Sequence, residues 1–107
     1  MSGITTHVLD TANGRPAAGI PITLERRNGE AWTHLGSGVT DADGRLRTLT
    51  GPDIDVGTYR ITFDTRAYFP DGFFPETSIV FDVRDAAQHY HVPLLLSPFG
   101  YSTYRGS

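Results

Sequence analysis

Turn signals punctuate the chain at short intervals. "ANGRP", "RNGE", "DADG", "TGPD", "FPDGFFP" and "SPFG" follow one another along its 107 residues. Helices need longer uninterrupted stretches, so this punctuation restricts the chain to short strands. The intervening runs have the matching period of two. Ile20, Ile22 and Leu24 alternate with Pro21, Thr23 and Glu25, and Tyr59, Ile61 and Phe63 alternate with Arg60, Thr62 and Asp64. Ile79, Phe81 and Val83 repeat the pattern, with Val80 as its exception. Adding "THVLD", "AWTHLGSGVT", "RLRTL", the run His89 to Leu96 and "YSTYR" predicts about eight strands, the spacing of a β-sandwich. The one helical candidate follows Thr65, where Pro70 and Pro75 leave it little room. Residues 1–107 are expected to form one domain, with no internal repeat and no linker.

Composition narrows the function classes. A net charge of −3 without any run of Lys or Arg gives no electrostatic support for binding nucleic acid. The longest apolar stretch, Val92 to Leu96, is too short to span a bilayer, so no membrane partner is expected. No charged n-region and apolar h-region open the sequence. The absence of cysteine excludes disulfides and thiol catalysis, and the expectation is a cytoplasmic protein.

The densest chemistry stands in the final run, "HYHVPLLLSPFGYSTYRGS". Residues two apart on a strand share a face. Tyr90, Val92, Leu94 and Leu96 therefore suit the interior, which turns His89, His91, Pro93 and Leu95 outward. "SPFG" reads as a tight reversal that makes the last two strands antiparallel neighbours, so His91 and Tyr104 can share the outward face. The His89/His91 pair invites a zinc reading with His7 or His34 as third ligand. It lacks a Cys or carboxylate at ligand spacing, and no metal site is assigned. Taken singly, His7 reads as a structural histidine, Arg45 as a surface arginine after a tight turn, and "DADG" as a turn without the other ligands of a calcium loop. Asp53 and Asp55 read as loop carboxylates. Nucleophile-elbow, phosphate-loop and dinucleotide fingerprints are absent.

"THVLDTANGRPAAGIPITLER", "TDADGRL", "GTYRITFDTRAYF", "FFPETSIVFDV" and the terminal run resemble, in order, the transthyretin-like family, and within it the hydroxyisourate hydrolase branch. The resemblance covers nearly the whole chain, and the closing Tyr-Arg-Gly-Ser after "HVPLLLSP" is its most specific part. It implies an all-β sandwich of two four-stranded sheets with a short helix after the fifth strand. "PDG" between "YF" and "FFPE" is shorter than that family pattern, so the helix is expected to be truncated. The resemblance also implies a homotetramer, a dimer of dimers, around a channel lined by the outward faces of the last two strands. The implied reaction opens the six-membered ring of 5-hydroxyisourate, giving 2-oxo-4-hydroxy-4-carboxy-5-ureidoimidazoline, without a cofactor. By position the implied catalytic residues are His7, Arg45 and His91, and the implied substrate contacts are His7, Arg45, Tyr104 and Ser107. Arg105 would add local positive charge, and His89 would support the site from the channel mouth. The rival implication is a carrier that binds an aromatic ligand in the same channel, although that branch replaces the His/Arg/His set and the tail. A structural or adhesive module is the second rival, since fold does not settle function.

Overall fold

A computed structural model describes residues 3–51 and 53–106. Among these residues nine strands form two sheets: β1 (Gly3–Asp10), β2 (Arg15–Pro16), β3 (Pro21–Asn28), β4 (Ala31–Val39), β5 (Arg45–Leu46), β6 (Gly57–Phe63), β7 (Thr77–Val83), β8 (His89–Ser97) and β9 (Gly100–Thr103). One sheet runs β2-β1-β8-β9 and the other β4-β3-β6-β7. The short strand β5 also pairs with β1, at Thr6↔Leu46 and His7↔Arg45, while β2 pairs with it at Leu9↔Pro16 and Asp10↔Arg15. β8 occupies the other edge of β1, so β2 and β5 lie end to end and each sheet is four strands wide. The all-β sandwich is therefore as expected.

The interior follows from alternation. Val8, Leu24, Ile61, Phe63 and Leu94 are fully buried, and Tyr90, Val92 and Leu96 point into the same core. Truncating one such leucine to alanine typically costs about 2–5 kcal/mol. Val80, the exception to the period, is outward and exposed on the edge strand β7.

The truncated helix expected after Thr65 is a single 3₁₀ turn after β6, Thr65–Ala67. Two local expectations change. "RLRTL" pairs only over Arg45–Leu46, because Leu49 leaves the edge to bury itself beside Gly36 of β4, and the amide of Ile4 donates to Thr50 Oγ1 instead of to a ladder carbonyl. "YSTYR" is a strand only to Thr103, after which Gly106 alone bridges back to His91.

One buried carboxylate ties the end of β1 to the 3₁₀ turn. Asp10 accepts from the amides of Ala12 and Asn13, from Asn13 Nδ2 at 2.8 Å and from Tyr68 Oη at 2.7 Å. Burial pushes its pKa up, but these donors outweigh that and hold it below the usual carboxylate range. Tyr68 is raised in turn, by burial and by its bond to Asp10. No helix among the described residues is long and apolar enough to cross a membrane.

Candidate active site

β1 and β8 run parallel with Thr5↔His91 and His7↔Pro93 in register. Ile4, Thr6 and Val8 are buried, so Thr5 and His7 face outward beside His91. The pairing His7↔Arg45 adds Arg45 from β5 to the same face. Three strands distant in sequence thereby bring His7, Arg45 and His91 together on the outer face of one sheet. All three are half-buried.

Each histidine is tied at one nitrogen. His7 Nε2 lies 2.8 Å from the carbonyl oxygen of Asp43. A carbonyl only accepts, so this nitrogen carries the proton and Nδ1 keeps the free lone pair. His91 Nδ1 lies 2.8 Å from Thr5 Oγ1, which also meets His89 Nε2 at 2.9 Å. Desolvation pushes the pKa of His91 down, and the charges of Arg45, His7 and His89 act the same way.

The Asp41–Gly44 turn builds much of this geometry. Asp41 Oδ1 accepts from the amides of Asp43 at 2.9 Å and Arg45 at 3.0 Å, which fixes both the carbonyl that holds His7 and the start of β5. Gly44 has φ of 73°, and a Cβ there would collide with the carbonyl oxygen of Val8, whose amide bonds to Gly44 O. Only glycine satisfies both conditions.

The C-terminal segment covers the other side of His91. Leu94↔Thr103 and His91↔Gly106 share one register, placing Tyr104 opposite Pro93 on the outward face. Tyr104 is 57 % exposed. A Cβ on Gly106 would lie 2.6 Å from His91 Cδ2, so glycine lets the tail rest against the imidazole. Arg105 does not join the set. Its guanidinium lies 4.5 Å over the Tyr90 ring and donates to Gln88 Oε1 at 2.8 Å, clasping the tail to β8. Ser107 lies outside the described residues.

His34 pairs with Glu25 in the opposite sheet, so it cannot be a third ligand with His89 and His91. Among the described residues no three His, Cys, Asp or Glu side chains converge as a metal site. The sequence reading missed Thr5 and the Asp43 carbonyl. Thr5 could have been found by parity, since it stands two residues before His7, whereas a backbone carbonyl leaves no residue-type signal.

The arrangement offers two imidazoles beside a guanidinium that makes no ion pair among the described residues. That set can activate water and hold a planar, oxygen-rich ligand. Residues 4–106 match the sequence model of the HIUase/Transthyretin family. The chain is 48 % identical to a 5-hydroxyisourate hydrolase of Caulobacter vibrioides, covering 100 % of both sequences. It superposes on the 5-hydroxyisourate hydrolase of Klebsiella pneumoniae with a TM-score of 0.89 at 36 % identity, covering 100 % of both chains. It also superposes on a transthyretin of Sparus aurata with a TM-score of 0.91 at 32 % identity, over 99 % of this chain and 97 % of that one. Sequence and fold agree: this chain belongs to the HIUase/Transthyretin family.

Proposed function

We propose that the chain is a 5-hydroxyisourate hydrolase, opening the six-membered ring of its substrate by attack of water on a ring amide carbonyl. The observation that carries this reading is the convergence of His7, Arg45 and His91 on one outer face, each imidazole tethered at one ring nitrogen and leaving the other unengaged. Relatives named for this activity support it. The fold does not separate hydrolase from carrier, because the transthyretin superposes as well as the hydrolase does. Two imidazoles and a guanidinium on one face favour hydrolysis over carriage.

In this mechanism His91 is the general base. It takes a proton from water at Nε2 as the water oxygen bonds to the carbonyl carbon. It returns that proton to the ring nitrogen as the carbon–nitrogen bond breaks. Burial and the Arg45 guanidinium favour its neutral form, the one a base requires. Arg45 orients the substrate and stabilises the developing oxyanion. His7 accepts a hydrogen bond through Nδ1, and Tyr104 completes the substrate wall. No cofactor and no metal take part.

The assembly is a homotetramer, a dimer of dimers, in which a second subunit closes the outward face. Support comes from the half-open site and from the exposure of Tyr104 on it. We place the enzyme in the cytoplasm. The test is decay of freshly generated 5-hydroxyisourate, followed by stopped-flow absorbance. The unaltered protein accelerates it, and His7→Ala and His91→Ala each lose at least about 100-fold in kcat. Full activity in both variants overturns the assignment.

A further inference from the structure

Thr5 does more than occupy the outer face of β1. Its single hydroxyl meets two imidazoles, His91 Nδ1 at 2.8 Å and His89 Nε2 at 2.9 Å. A hydroxyl has one proton to give and two lone pairs to accept with. If Thr5 gives its proton to His91 Nδ1, the neutral ring must carry its own proton on Nε2, and no lone pair is left to take a proton from water. If Thr5 accepts from His91 Nδ1–H, the lone pair stands on Nε2, and the Thr5 proton goes to His89 Nε2. His89 is exposed, so water serves its remaining nitrogen.

The far side of the His91 ring is also constrained. The tail backbone lies against Cδ2 at Gly106, and the Gly106 amide donates to His91 O at 2.9 Å. A hydrogen bond on one side and a close backbone on the other define the plane of the imidazole.

We propose that Thr5 is a positioning residue: its hydroxyl accepts Nδ1–H of His91 and donates to Nε2 of His89, holding His91 in the tautomer whose Nε2 is free. The inference rests on the hydrolase reading, in which His91 is the base. Thr5 touches no substrate and keeps its proton throughout. It acts by fixing one ring orientation and by stabilising the imidazolium that forms when water is deprotonated.

Thr5→Val keeps the shape and deletes the hydroxyl, whereas Thr5→Ser keeps the hydroxyl. Thr5→Val is expected to lose about 10- to 100-fold in kcat with KM within about threefold, the effect of a lost hydrogen bond to a charged group. Thr5→Ser is expected to stay within about threefold of the unaltered enzyme. The groups facing His91 are Arg45 from β5, His7 from β1 and His89 from its own strand, while Arg105 of the tail turns to Tyr90 and Gln88. None of these is altered in either variant. Loss of an acceptor for Nδ1–H therefore shifts the acid limb of kcat/KM to lower pH in Thr5→Val, because the imidazolium loses more than the neutral ring.

Unchanged kcat in Thr5→Val overturns the proposal, as do a limb that moves to higher pH and a Thr5→Ser loss equal to that of Thr5→Val. If the unaltered protein does not turn over 5-hydroxyisourate, or if Thr5→Val does not fold, ¹⁵N imidazole spectra of the unaltered protein decide. A neutral His91 protonated on Nδ1 supports the proposal, and one protonated on Nε2 refutes it.

Discussion

A histidine can take a proton from water only while it is neutral, and the surroundings of His91, the proposed base, favour that form. Desolvation is the first cause, followed by the charges of Arg45, His7 and His89. The sign is direct: a depressed pKa leaves the base unprotonated further into acid. The acid limb of kcat/KM should therefore lie below the ordinary histidine value of about 6.5, with activity lost as pH falls through the lowered pKa. A pH–rate profile checks this, and replacing Arg45 with Gln should move the limb upward because a lowering charge is removed. A limb at or above the ordinary value would contradict the environment described for His91. At this scale the residue types were legible in the sequence, since His7, Arg45, His91 and Tyr104 could be named before any fold was known. The tethers were not. Asp43 acts through its carbonyl, and the backbone looks alike in every residue. Thr5 acts through a contact with residues more than eighty positions away.

At the scale of elements, two short connections carry much of the site's precision. The Asp41–Gly44 turn presents a carbonyl to His7 and starts β5, so the "DADG" read as a turn is also part of the site's frame. The Asp10–Tyr68 bond joins β1 to the 3₁₀ turn on the other sheet's side of the chain. Tyr68→Phe should cost about 1.5–3 kcal/mol, the range for a hydrogen bond to a charged group. Urea denaturation should report that loss with kcat close to that of the unaltered enzyme, because Tyr68 stands apart from the histidines. Unchanged stability would mean that the other donors to Asp10 suffice. The depressed pKa of Asp10 adds a pH dependence. Its contribution is present above the usual carboxylate range and is lost as pH falls through the lowered value. Alternation located the long strands well, because each has one buried face. It overextended β5 and β9, where Leu49 and the tail find better partners than a continuing ladder.

For the whole molecule, the decisive property is whether the outward face of the β1–β8 sheet meets another subunit. Tyr104 stands exposed there beside the half-buried His7, Arg45 and His91. Size-exclusion chromatography with light scattering at micromolar concentration should give four times the mass of the 11.7 kDa chain. A monomer that still turns over 5-hydroxyisourate would refute the assembly and leave the chemistry intact.

The amino-acid sequence by itself determined the sandwich, the inward set on β8 and the reversal at "SPFG". Those features depend on local periodicity and turn chemistry, which act between neighbours in the chain. It also supplied the site's residue types and, through its resemblance, the family. Only the tertiary structure decided that Arg45 pairs with His7, that Thr5 joins His89 to His91, that Arg105 clasps Tyr90, and that Gly106 lies against the imidazole. Each of these depends on the register between strands far apart in sequence. Register is set by how the two sheets bury their faces together, which no local stretch encodes.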